Sequence, residues 1–138
     1  MEWKHGEWPY TMSDDKALLD EDKICAWLAT TYWASERPCE IVRKSIQQSL
    51  CFGLHHENGQ AGFVRVVTDY ATFSWVCDVF VDPAHRGKGL GKWMMEIVIH
   101  HPAIRHTNMT LGTRDAHGLY EQYGFVRREM MRRLAESV

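Results

Sequence analysis

No Cys-x-x-Cys pair occurs in this chain. Cys25, Cys39, Cys51 and Cys77 stand far apart, which removes a zinc knuckle and a redox dithiol and leaves free thiols in a reducing cytosol as the expectation. No apolar run approaches the roughly 20 residues a membrane-spanning helix needs. The start, Met1-Glu2-Trp3-Lys4-His5, lacks the apolar centre of a secretory signal, so the cytoplasm is the expected compartment and no membrane partner is expected. Charge of one sign is not in excess either. A net charge of −2 gives no electrostatic reason to expect nucleic acid as a partner. Internal repeats and low-complexity linkers are absent. Histidines are plentiful, but His55-His56 and His100-His101 are adjacent pairs whose side chains project in different directions, so no metal is expected.

The remaining composition is that of one ordinary globular unit spanning 1–138. Its 138 residues are enough to bury a core, and 45% hydrophobic with 25% charged residues is the usual balance for such a domain. The chain is organised around Val79 to Lys92. An alternating run with Val79 and Val81 halts at Asp82-Pro83, passes through Arg86-Gly87-Lys88-Gly89-Leu90-Gly91-Lys92, and opens into a helical pattern from Trp93. Glycines let backbone approach an anion, and free N–H groups at a helix start carry partial positive charge. The stretch therefore reads as strand, phosphate-cradling loop, helix. Its spacing fits neither a Walker loop nor a dinucleotide fingerprint, because no Gly precedes a Gly-Lys-Ser/Thr by five positions and Lys92 replaces the third glycine.

Around it, periodicity predicts a short edge strand near 8–12 containing Pro9, a helix over 21–32 and a second helix over 40–49. Strands follow over 50–56 and 61–69, joined at Asn58-Gly59, one of the strongest hairpin signals. A third strand covers 72–81. The central helix runs from Leu90 to about His100, a strand from 108 to 113, and a last helix from 116 to 123 that Asp115 can cap and Gly124 can end. The basic tail from Arg127 to Arg133 has no assigned conformation.

Three blocks in order, Asp78-Val79-Phe80-Val81-x-Pro, Arg86-Gly87-Lys88-Gly89-Leu90-Gly91 and Asp115-Ala116-His117-Gly118-Leu119-Tyr120-Glu121-Gln122-Tyr123-Gly124-Phe125, resemble the GNAT superfamily of acetyl-CoA-dependent N-acetyltransferases over roughly residues 50–126. The resemblance implies an α/β fold: a single GNAT-like domain with a twisted mixed, mostly antiparallel sheet and helices on both faces. It implies acetyl-CoA, whose pantetheine arm would pair with the backbone of Val79, Phe80 and Val81. Its pyrophosphate would rest on Arg86, Gly87, Lys88, Gly89, Leu90, Gly91 and Lys92, with Asp115 and His117 nearby. Tyr120 falls where many members place the tyrosine that protonates the departing thiolate; a phenol is protonated at neutral pH and can donate. Tyr32 and Trp33 would line the acceptor site. Asp78 would face the acceptor amine and is the best candidate for the general base that handles its charge, as in polyamine and diamine acetyltransferases, although Cys77 stands where those enzymes usually carry a second acid. The activity expected is direct transfer to a primary amine of a small molecule, with a homodimer admitted but not required. Two other readings stay open: a modifier of protein lysines or N-termini, and a non-catalytic acyl-CoA-binding module.

Overall fold

A computed structural model describes residues 1–136. One six-stranded sheet, in the order β1 to β6, is antiparallel throughout except for its last pair. The strands are β1 (Glu2–Lys4), β2 (Thr11–Ser13), β3 (Leu50–His56), β4 (Gly59–Thr68), β5 (Phe73–Val81) and β6 (Asn108–Thr110). Helices α1 (Glu21–Leu28) and α2 (Cys39–Gln47) cover one face; α3 (Leu90–Ile99) and α4 (His117–Glu121) lie on the other. The long antiparallel run β3–β4–β5 follows from its sequence. Gly59 takes φ +116° at the tip of the β3–β4 turn, and the apolar residues of β4 alternate between the two cores, Phe63 under α1 and α2, Val64 and Val66 under α3.

The ends depart from the sequence-based reading. Trp8 and Pro9 do not lie in a strand but in the turn joining β1 to β2, where the His5 ring nitrogen Nδ1 accepts from the Glu7 and Trp8 amides. The helix expected to reach residue 32 stops at Leu28. There the hydroxyls of Thr30 and Thr31 donate to the Trp27 and Leu28 carbonyls and turn the chain aside. Asp115 does not cap α4: the helix has no side-chain cap, and the Ala116 amide donates to Thr113 Oγ1 instead. Gly124 does end that turn with φ +86°. Residues 126–136 form no strand or helix, and Val126, Met130, Met131 and Leu134 are exposed.

The expectation of four free thiols also fails. Cys25 on α1 and Cys39 at the start of α2 are joined by a disulfide, because the two packed helices bring their Cα atoms to 5.4 Å. Cys51 and Cys77 remain free. Among the described residues no helix is long and apolar enough to cross a membrane.

Candidate active site

Two structures meet at β5. On one side the strand is open: it pairs with β6 only from Phe73 to Trp75, after which the two parallel strands part. The Asp82 amide donates to the Ala61 carbonyl of β4. By the alternation of an antiparallel ladder, Phe80 then presents its backbone to β4, while Val79 and Val81 present theirs to the open edge. The Val81 carbonyl there accepts from Arg86 Nε at 2.8 Å. Arg86 thus folds back over the Phe80 ring, its guanidinium carbon 5.3 Å from the ring centre. Phe80 itself is buried, stacked on Trp27.

The chain then enters the glycine loop. Gly87 and Gly89 have φ +86° and +72°, a left-handed backbone that costs other residues about 1–2 kcal/mol. The first helical bond of α3 runs from the Trp93 amide to the Gly89 carbonyl, and the six amides from Gly87 to Lys92 have no hydrogen-bond partner among the described residues. A Cβ built on Gly87, Gly89 or Gly91 would meet nothing within 4 Å. The result is an open run of N–H groups, unpaired among the described residues, at a helix start and beside Lys88, which suits a diphosphate. The residues present therefore fit the phosphate part of a CoA-type molecule. Lys92 contributes a further tie, its carbonyl accepting from the Tyr123 hydroxyl at 2.9 Å.

Tyr120 projects from α4 against the α3-side core. Burial raises its pKa above the ordinary tyrosine value, with Tyr32 and Asp115 adding to the effect. The phenol therefore stays protonated. The hydroxyls of Tyr123 and Tyr32 both have partners, whereas that of Tyr120 has none among the described residues. His117 opens the same helix, half-buried, and Asp115 is exposed just before it.

The other side of β5 is built from side chains. Phe63 pairs with Phe80, but Arg65 pairs with Cys77, so Asp78 and Val79 together oppose Val64 alone. This β-bulge puts Asp78 at φ +47° and turns it to the face where Arg65 lies. Its carboxylate is then surrounded. Oδ1 accepts from Trp33 Nε1 at 2.9 Å; Oδ2 accepts from Arg37 Nη1 at 2.9 Å and Arg65 Nε at 2.7 Å. Only 1% of the Asp78 side chain is exposed. Arg65 also donates to Ser49 Oγ at 3.1 Å. The geometry does not suit the expected general base, because both oxygens are occupied by donors that do not leave. Asp78 instead orders Trp33 and Arg37, whose loop follows α1.

Tyr32 and Trp33 stand together on that loop, half exposed, their rings 5.1 Å apart. Tyr32 also reaches across to the segment after β6: its hydroxyl accepts from the Arg114 amide at 3.1 Å, and the Arg114 guanidinium carbon lies 3.8 Å from its ring centre. Burial pushes the thiols of Cys51 and Cys77 up to about 12 and about 11, so neither is an activated nucleophile. Sequence reasoning missed Arg37 and Arg65. Arg65 did leave a signal, as the lone charge inside the apolar run Phe63-Val64-Arg65-Val66-Val67.

The chain is similar to known proteins in sequence and in fold. Residues 47–127 match the family described as the acetyltransferase (GNAT) domain. A Gibberella zeae protein named as an acetyltransferase is 34% identical over 116 residues, covering 70% of this chain and 64% of that protein; the chain thus spans less than two thirds of its relative's length. The crystal structure of a Xanthomonas campestris GNAT-family protein is 40% identical, with a TM-score of 0.89 over 94% of this chain and 96% of that one. A GNAT-family acetyltransferase from Elizabethkingia anophelis, solved with acetyl-CoA bound, shares the fold at a TM-score of 0.67 and 15% identity, over 88% of this chain and 78% of that one.

Proposed function

The chain belongs to the GNAT acetyltransferase family, and we propose on that footing that it transfers the acetyl group of acetyl-CoA directly to a primary amine of a small molecule. One observation carries the reading: the six unpaired amides of Gly87 to Lys92 lie at the end of the strand whose edge is open at Val79. Those amides would grip the pyrophosphate, with Lys88 adding charge. The Val79 backbone would pair with the pantetheine arm, and Asp115 and His117, at the start of α4, would add further contacts to the cofactor. When bound, acetyl-CoA supplies an activated acyl thioester.

The chain's own residues do the rest. The open edge of β5 aligns the thioester toward an amine entering past Tyr32 and Trp33. As the C–N bond forms and the C–S bond breaks, Tyr120 donates its proton to the departing sulfur and regains one from water. The acceptor ammonium releases one proton to solvent before attack, since Asp78 is engaged, and a second as the amide forms, which through water replaces the one Tyr120 gave. The products are an acetamide, CoA thiol and one released proton, so atoms and charge balance. Calorimetry with acetyl-CoA, together with thiol release against polyamines, amino acids, aminoglycosides and peptides, tests the reading. Binding with amine-dependent turnover is expected; no heat and no thermal protection with acetyl-CoA would overturn it.

A further inference from the structure

The polar layer beside β5 carries more positive than negative charge. One buried carboxylate, Asp78, faces two guanidiniums, Arg37 and Arg65, which leaves one net positive charge among the three. Both Asp78 oxygens are already engaged. Arg65 spends a second donor on Ser49. Arg37 is different: its side chain is 24% exposed, and among the described residues only its Nη1 is committed. Beyond the Tyr32–Trp33 pair sits another cation, exposed Arg114. The other carboxylates of these two segments, Glu36 and Asp115, are exposed to water, where their charges are screened.

A second ammonium on the acceptor would therefore find no free buried carboxylate and would meet guanidinium charge instead. An anionic group would find Arg37 with donors to spare, in a fork suited to planar oxyanions. The flanking rings of Tyr32 and Trp33 would hold a short carbon skeleton between that anion and the amine. We propose that the acceptor is a small primary amine that also bears a carboxylate or phosphate, seated on Arg37 against Tyr32 and Trp33. This rests on the acetyl-transfer reading above and names the acceptor class for the same site.

The full chain, saturated with acetyl-CoA, is assayed with short ω-amino acids, aminoalkyl phosphates, diamines of matched length and n-alkylamines. The anionic amines should exceed the matched diamines in kcat/KM by about tenfold or more, and the carboxylate and phosphate arms separate the two sources of negative charge. Arg37→Gln should raise KM for the anionic amine and bring its ratio to the diamine toward unity. Arg37→Lys should keep part of the preference. Arg114→Gln lies on the surface, away from the buried pair, and should reduce the ratio by a smaller factor, so the test does not depend on how well the Arg37 variants fold. Binding of each amine to the CoA-loaded protein is measured alongside by calorimetry. Diamines or alkylamines acetylated as well as anionic amines would overturn the charge preference and leave acetyl transfer standing. Anionic amines that bind but are never acetylated would overturn acetyl transfer and leave the preference standing. Failure of anionic amines to bind, or a ratio unmoved by both the Arg37 and the Arg114 substitutions, would overturn the seat.

Discussion

The two sides of β5 are made of different material. Toward β6 the working groups are main-chain amides and carbonyls, set by glycine torsions and by the parting of two strands. Toward α1 and α2 they are side chains, Trp33, Arg37, Arg65 and Asp78, held in one hydrogen-bonded cluster. A backbone site depends on local conformation and tolerates most changes of residue type, provided no Cβ is forced into a left-handed position. A side-chain cluster depends on every member, because removing one leaves a buried partner uncompensated. One face can thus stay fixed across changes that redirect the other.

The largest effect that would sharpen this contrast is expected at Asp78. Asp78→Ala leaves Arg65 buried without its counter-ion and should cost about 3–5 kcal/mol, read as a shift in the denaturant midpoint. A loss below about 1 kcal/mol would mean that the cluster is not the rigid unit described here. Next is Tyr120→Phe, for which kcat should fall roughly a hundredfold to a thousandfold with acetyl-CoA affinity nearly intact. Because burial raises the Tyr120 pKa, its donor form persists to higher pH. The alkaline limb of kcat should therefore lie above the ordinary tyrosine value near ~10 and should be absent from the variant; an unchanged rate removes Tyr120 from the chemistry.

Smaller still, replacing Cys25 and Cys39 by serine opens a closed circuit of chain and should cost about 3 kcal/mol in stability, measured by thermal unfolding with and without reductant. The weakest effect is expected on the backbone side. Gly89→Ala should strain the left-handed loop by about 1–2 kcal/mol and weaken acetyl-CoA binding roughly fivefold to thirtyfold. If Gly89→Ala binds normally while Asp78→Ala abolishes acetyl-CoA binding, the division of labour is reversed.

The same contrast explains what could be read in advance. The glycine loop, the Asn58-Gly59 hairpin, the three successive antiparallel strands and the left-handed Gly124 are local, and each leaves its mark within a few residues. Their positions follow from the sequence directly. The bulge at Asp78 does not, because it depends on how β4 and β5 register, and no residue near it signals an extra position. Arg37 and Arg65 meet Asp78 across 41 and 13 residues. Cys25 and Cys39 meet because α1 and α2 pack side by side, a relation that spacing alone does not express. The end of α1 at Leu28 and the cap of α4 were also lost locally, where threonine hydroxyls took backbone partners that periodicity ignores.

The disulfide has a consequence for any attempt to retarget the protein. Tyr32, Trp33 and Arg37 all lie between its two sulfurs, on a ring whose circumference is fixed at both ends. Lengthening or shortening that ring would displace all three together, whereas exchanging one aromatic or one basic residue leaves its perimeter unchanged. New substrate tastes are therefore to be sought through point substitutions on a hoop of constant size, and grafting a foreign loop of another length there is the poorer strategy.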